Sequence, residues 1–284
     1  MNKDQLQRET QMRVRTAPVS VLAAVLLVAA AVISLVGLHT SIDELTTDLI
    51  VSHKRFPIDL IGSVLNSIGL LALTVVLSFL WRATNARRPA LSVAVKFLAI
   101  TGGALAAISG VLYQVLIALV AHKFVSTGQQ TYSQAHHLTN STILLLLPIV
   151  GQVGELLLAM AIVLLSLNAM RVGLLPRLMG YLGIFVGVLF LFPIGSPVPV
   201  IQAGWLCALG YLFSGRWPSG HPSAWSTGEA VPWLSNQQAR EKQGRPARGG
   251  RAKPVSTPAP EAVIAPARAT TGATTPKRKR KRRN

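Results

Sequence analysis

Apolar residues in this chain fall in long, nearly unbroken runs rather than at a helical or strand period. A helix needs about 20 such residues to cross the ~30 Å hydrocarbon core of a bilayer. Val19–Leu38 is the first run, too long for the 7–15 apolar residues of a signal peptide and opened by Pro18, which suits a helix start. Ile58–Trp81 is the second, closed by an interfacial aromatic next to Arg82, and Val93–Ala121 is the third. Ser141–Ala169 is the fourth, interrupted by Pro148 and Glu155. Leu178–Ile194 and Val198–Phe213 complete the set, the last flanked by Pro197 and Pro199. Nothing alternates with period 2 over ten residues, which excludes a barrel. The pattern predicts an all-α bundle of six transmembrane helices.

Charge orients the bundle. With the N-terminus inside, the inner segments carry Lys3, Arg8, Arg13, Arg15, Arg82, Arg87, Arg88, Arg171 and Arg177, and the outer loops only Lys54, Arg55 and Lys123. That excess is what the positive-inside rule requires, and it predicts a cell-membrane protein with both termini cytoplasmic. A sixth run re-entering the same side would put the basic tail outside. The tail matters because mean hydropathy is +0.45 while formal charge is +18, a pair of values that no ordinary soluble domain combines. Residues 215–284 hold 15 of the 28 Lys and Arg, 3 of the 10 Asp and Glu, and 9 of the 17 Pro. Such a composition buries too little apolar surface to offset ordering entropy. The organisation expected is a polar lead at 1–17, a membrane domain at 18–214 and a disordered basic tail at 215–284.

Spans associate through small residues that let backbones approach and through polar contacts. Gly102, Ala106, Gly110 and Gln114 recur every four residues on the third span, and Gly180, Gly183 and Gly187 stripe the fifth. Both are expected helix–helix seams. Polar side chains are costly in lipid, so those within spans should face inward. Asp59, Gly62, Ser63 and Asn66 share one face of the second span. Gln152 and Glu155 share a stripe of the fourth span with Ser141, Pro148, Ala159 and Ser166. Counted from the outer ends, Asn66, Gln114, Gln152 and Gln202 lie in the outer half, and Glu155 near the middle with no Lys or Arg at its depth. These positions predict an outward-opening polar pocket with Glu155 at its floor. The competing reading is plain interhelical hydrogen bonding, worth about 0.6 kcal/mol per bond. Lys96 can snorkel to the inner interface, and Asp59 sits where a helix N-terminus favours an anion.

Catalytic and metal motifs are set aside. His39, His53, His122, His136 and His137 lie in or beside outer loops near Asp43, Glu44 and Asp48, but their spacing fits no ligand motif. Cys207 stands alone, so neither a disulfide framework nor a zinc finger is available. Pro218-Ser219-Gly220-His221 resembles the central motif of the phosphatidic acid phosphatase-related enzymes, yet no His or Asp follows His221 and the spaced Lys before Arg88-Pro89 is missing. HExxH and the phosphate-binding G-x-x-x-x-G-K-[ST] are absent. The expectation is a non-enzyme without cofactor or metal. The terminal run Lys277, Arg278, Lys279, Arg280, Lys281, Arg282 and Arg283 suits anionic lipid, at about 1 kcal/mol per cation near the surface. Nucleic acid is disfavoured, because no stacking aromatics accompany the run. Trp217, Trp225 and Trp233 follow the sixth span and are expected to rest on headgroups.

Gly173-Leu174-Leu175-Pro176-Arg177 with Gly180, followed by Tyr181-Leu182-Gly183-Ile184, resembles the turn before the fifth span in a family of six-span bacterial membrane proteins of unknown function. A polar outer loop after the first span and a basic turn after the second are similar too. The resemblance covers roughly residues 18–214 and implies a plasma-membrane bundle, with no activity or binding residue to carry over. Two functions are therefore expected in competition. One is small-solute or proton-linked binding or transport through the outer-half pocket. The other is a membrane anchor or scaffold whose basic tail gathers anionic lipid or a cytoplasmic partner.

Overall fold

The computed structural model describes residues 3–35, 45–127, 129–191, 199–218, 220 and 222–231, and they are helical with no strand among them. The helices are α1 (Lys3–Leu35), α2 (Leu45–Arg55), α3 (Ile58–Arg87), α4 (Val93–Thr127), α5 (Tyr132–Thr139), α6 (Thr142–Arg171), α7 (Arg177–Leu191), α8 (Val200–Phe213) and α9 (Ser223–Thr227). Four of them, α1, α3, α4 and α6, are long and apolar enough to cross a membrane. At 1.5 Å per residue their 30 to 35 residues exceed the hydrocarbon core. The fifth and sixth expected spans become shorter helices, 15 residues in α7 and 14 in α8. Pro199, which cannot donate into a preceding turn, stands at the N-cap of α8.

The six main helices close a ring: α1 packs on α3, α3 on α4, α4 on α6, α6 on α7, α7 on α8 and α8 back on α1, with α3 also touching α6. The glycine stripes read from the sequence do form seams. A Cβ on Gly102 would lie 2.7 Å from the Gly154 carbonyl of α6, and one on Gly154 2.6 Å from the Ala106 amide of α4, so only two glycines allow this approach. Gly180, Gly183 and Gly187 of α7 lie against Met170, Ser166 and Val163 of α6. On the far side, Gly210 of α8 faces Ala17 of α1, and Ser20 Oγ donates to the Leu206 carbonyl at 2.6 Å. The outward faces carry exposed large apolar residues, such as Phe97, Ile108, Leu119, Ile143 and Leu178. Such a surface suits lipid rather than water.

Three boundaries differ from expectation. The polar lead is helical, because α1 runs unbroken from Lys3 and carries Pro18 in its interior instead of at its start. Tertiary contacts hold that extension: Glu9 accepts from Arg87 Nη1 at 2.7 Å, and the Arg13 guanidinium lies 5.5 Å above the Trp225 ring. Secondly, the ordered chain continues past residue 214. Residues 222–231 form a strap across the end of the bundle with Ala224 and Trp225 buried, so Trp225 does not lie on headgroups. Trp225 Nε1 donates to the Leu174 carbonyl at 2.9 Å, the ring stacks on Phe79, and the Val231 amide donates to the Val172 carbonyl at 3.1 Å. Gly173, at φ +78°, turns its backbone so closely under Val231 that a side chain there has no room. Thirdly, α2 and α5 fold onto the far end of α4 around a small core of Leu49, Ala121, Phe124 and Ala135. Trp233 and the remainder of the expected tail lie outside the described residues.

Candidate polar binding cavity

The end of the bundle that carries α2 and α5 also holds a polar cavity. Its first wall comes from α3, where Asp59, Gly62, Ser63 and Asn66 fall on one face at helical spacing. α4 contributes Gln114, half-buried, and α1 contributes Leu27, Ala30, Ala31 and Ser34. Gly62 is what brings α3 up to α1, since a Cβ there would sit 3.1 Å from Ile33. Pro199, just before α8, closes one side. The cavity is an open cleft of about 530 Å3.

An ion pair stands at the mouth. Arg55, the last residue of α2, places Nη2 2.7 Å and Nε 2.8 Å from Asp59 Oδ1. The same guanidinium donates from Nη2 to the Ile33 carbonyl at 3.2 Å. That carbonyl belongs to the last turn of α1, where helical carbonyls have no partner of their own and a cation is favoured. Arg55 thus ties α1, α2 and α3 together and fixes Asp59 toward the cavity. Deeper in, Ser34 Oγ donates to its own helix at the Ala30 carbonyl, 3.0 Å away. Asn66 and Gln114 have no hydrogen bond among the described residues, so their amide groups are open to a guest. Two amides offer both donors and acceptors, and the Arg55–Asp59 pair adds both signs of charge at close to zero net.

Of the residues predicted for the pocket, the fold brings Asn66 and Gln114 together and leaves Gln152, Glu155 and Gln202 away from this cavity. Gln152 is exposed on α6, and Gln202 is half-buried at the start of α8. Glu155 is half-buried and precedes by one turn Ala159, whose carbonyl abuts Gly187 of α7. One turn on its other side, Gly151 faces Ser109 of α4, so Glu155 stands on the stretch of α6 between its α4 and α7 contacts and does not line the cavity at Asn66. Two cavity residues escaped the sequence reading. Ser34 belongs to the otherwise apolar first span, and Arg55 was counted only as an outer-loop cation. Its i, i+4 spacing from Asp59 was the available signal.

Other candidate chemistry is sparse. His53 of α2 and His122 of α4 approach with ring centroids 5.5 Å apart, but no three His, Cys, Asp or Glu gather among the described residues. His39, Asp43, Glu44, His221 and the run Lys277–Arg283 lie outside those residues. A second crevice of about 510 Å3 between α1 and α8, lined by Ala24, Val28, Val32, Ala203 and Cys207, is wholly apolar and suits lipid chains. Comparison of the chain with protein-family models, with curated proteins and with solved structures finds no match.

Proposed function

We propose that this chain is a cell-membrane protein that takes a small polar solute into the cavity between α1, α3 and α4 from the outer side. The observation that carries the reading is the meeting of Asn66 and Gln114, without protein partners, behind the Arg55–Asp59 pair in a space of about 530 Å3. Both amides are half-buried with their polar atoms open to solvent, so a guest that satisfies them replaces water there. Near-zero net charge at the mouth favours a neutral or zwitterionic solute over a simple ion. In this reading α7 and α8 are the fifth and sixth crossings and both termini are cytoplasmic. Two observations support it: α8 runs beside α1 from Gly210 at Ala17 to Pro199 near Ser34, and the cation asymmetry has the required sign. The likeness of the Gly173–Gly180 turn to six-span bacterial proteins agrees with it.

The test is access. In a Cys207→Ser background, Ser63→Cys should react with an impermeant thiol reagent in intact cells, and a binding solute should slow the reaction. Asn66→Leu, Gln114→Leu and the double variant should abolish that protection while the protein still folds. A Ser63→Cys chain that reacts only after permeabilisation would refute an outward-opening cavity. The anchor reading keeps one support, the strap at 222–231, which packs on the bundle ahead of the basic tail in the sequence. Truncation after residue 235 separates the two, because solute protection at residue 63 should survive it.

A further inference from the structure

At the opposite end of α3 lies a third cavity, of about 460 Å3, between the first turns of α1 and the last turns of α3. Its walls are Gln5, Arg8 and Met12 from α1 and Phe79, Arg82 and Asn85 from α3. The spacing explains the groove, since residues 5, 8, 9 and 12 share one helix face, as do 79, 82, 83 and 86. One acid reaches it, Glu9, and that carboxylate is already held by Arg87 at 2.7 Å. Arg8 and Arg82 are exposed and have no hydrogen bond or ion pair among the described residues. The groove therefore presents two free guanidinium groups over an apolar floor.

Its place on the bundle says what would fill it. Ile61, Val64, Ile68, Leu71 and Val75 form an exposed apolar stripe along α3, and Arg82 follows Val75 by two turns on the same face. Arg82 also adjoins Trp81, whose indole Nε1 donates to the Ser92 carbonyl beyond the helix end. Cations here stand where an apolar lipid-facing surface gives way to the interface. Guanidinium groups bind phosphate oxygens with several directed hydrogen bonds, and basic pockets between helices at this depth suit anionic headgroups.

We propose that the α1–α3 groove is a binding site for one anionic phospholipid, with the phosphodiester between Arg8 and Arg82 and an acyl chain along Met12, Phe79 and the Val75 stripe. The site uses no residue of the basic run at the C-terminus, and it is independent of whether the polar cavity takes a solute.

The experiment uses the full chain in neutral detergent, titrated with dioctanoyl phosphatidylglycerol, dioctanoyl phosphatidylcholine or inorganic phosphate, and reads the thermal midpoint and bound lipid by native mass spectrometry. Phosphatidylglycerol should bind at one saturable site and raise the midpoint, and phosphatidylcholine should bind at least tenfold more weakly. Arg8→Gln/Arg82→Gln should weaken phosphatidylglycerol on the order of tenfold or more, since each cation contributes a few-fold. Both side chains are exposed, so the lipid-free midpoint should not move. A charge-matched control, Arg240→Gln/Arg245→Gln, should leave the affinity unchanged. Equal losses in the two variants would assign binding to the tail and overturn the proposal, as would equal affinity for the two lipids. Competition by millimolar phosphate as strong as by the lipid would mark a free-anion site instead. A photoactivatable phosphatidylglycerol supplies a measurement on the unaltered chain. Adducts should fall within 5–12 and 79–89, and adducts confined to 236–284 would overturn the assignment.

Discussion

Arg87 offers the sharpest perturbation, because one side chain holds α1, α3 and the strap together. Its side chain is fully buried. Nε and Nη2 both donate to the Ala224 carbonyl, at 2.9 and 2.8 Å, and Nη1 donates to the Ala83 carbonyl at 2.8 Å and to Glu9 Oε1 at 2.7 Å. The guanidinium also lies 5.3 Å from the Trp225 ring centroid. Arg87→Met keeps most of the volume and removes every donor. The two carbonyls keep a partner or can regain one, since Ala224 also accepts from the Gly228 amide. The larger penalty is Glu9, only 12% exposed, which loses its hydrogen-bonded partner and keeps only the charge of Arg13 one turn on. Removing one member of a buried pair costs about 3–5 kcal/mol, and the residual exposure of Glu9 together with the charge of Arg13 puts this case at the lower figure, about 3 kcal/mol. Glu9→Gln alone should cost about 1 kcal/mol, one charge-assisted hydrogen bond exchanged for a neutral one. The double variant should recover roughly half of the Arg87→Met loss, about 1.5 kcal/mol, because no charge is then orphaned. Unfolding midpoints in detergent give the cycle, and amide hydrogen exchange over 222–231 localises it. Exchange there should rise many-fold in Arg87→Met and less in Glu9→Gln. Unchanged protection of the strap in Arg87→Met would refute the reasoning.

Gly154→Val should lower the midpoint by more than about 3 kcal/mol equivalent, because its Cβ meets the Ala106 amide at 2.6 Å and no flexible side chain can yield; Gly204→Val, with nothing within 4 Å, is the neutral control. Phe124→Ala should cost about 3–5 kcal/mol of local stability and free α2 and α5 to proteolysis, since Phe124 is fully buried in their shared core. Glu155→Gln should leave the midpoint within about 0.5 kcal/mol, as the carboxyl is half-buried and makes no hydrogen bond among the described residues; a larger loss would indicate an essential carboxylate. Single cysteines at residues 53 and 136, in a Cys207→Ser background, should label from outside intact cells, and one at 240 should not; labelling at 240 would overturn the six-crossing reading.

Much of the bundle was legible because each apolar run is set by the thickness of a bilayer, a local quantity. The starts of α3 and α4 fall where the runs begin, and the glycine stripes of α4 and α7 do mark seams. What the runs could not tell is where polar helix continues beyond them. The extension of α1 back to Lys3 is held by contacts distant in sequence, Glu9 with Arg87, 78 residues away, and Arg13 with Trp225. The strap was hidden for a related reason. Averaged over residues 215–284 the composition is that of a disordered chain, yet the apolar pair Ala224 and Trp225 at its start meets Arg87 from the end of α3 and Leu174 from the α6–α7 turn. The cavity shows both sides of the matter. Helical spacing grouped Asp59, Ser63 and Asn66 correctly, while depth alone joined Gln114 to Glu155, and depth does not say in which direction around a helix a side chain points.

The contact of α4 with α6 has a mechanical consequence. With Gly102 against Gly154 and Ala106 beside it, backbone meets backbone, and a slide of either helix by one residue would drive Leu105 or Leu157 into the opposing chain. The pair, with α3 fitted to it through Gly103 at Thr74, behaves as a stator. The other flank of the ring is the looser one: α1 is held to α3 and α8 is pinned to α1 at Ser20 and Leu206, but α7 and α8 touch only lightly. A covalent staple between α4 and α6 should then leave amide hydrogen exchange in those helices unchanged, and one between α7 and α8 should slow it there.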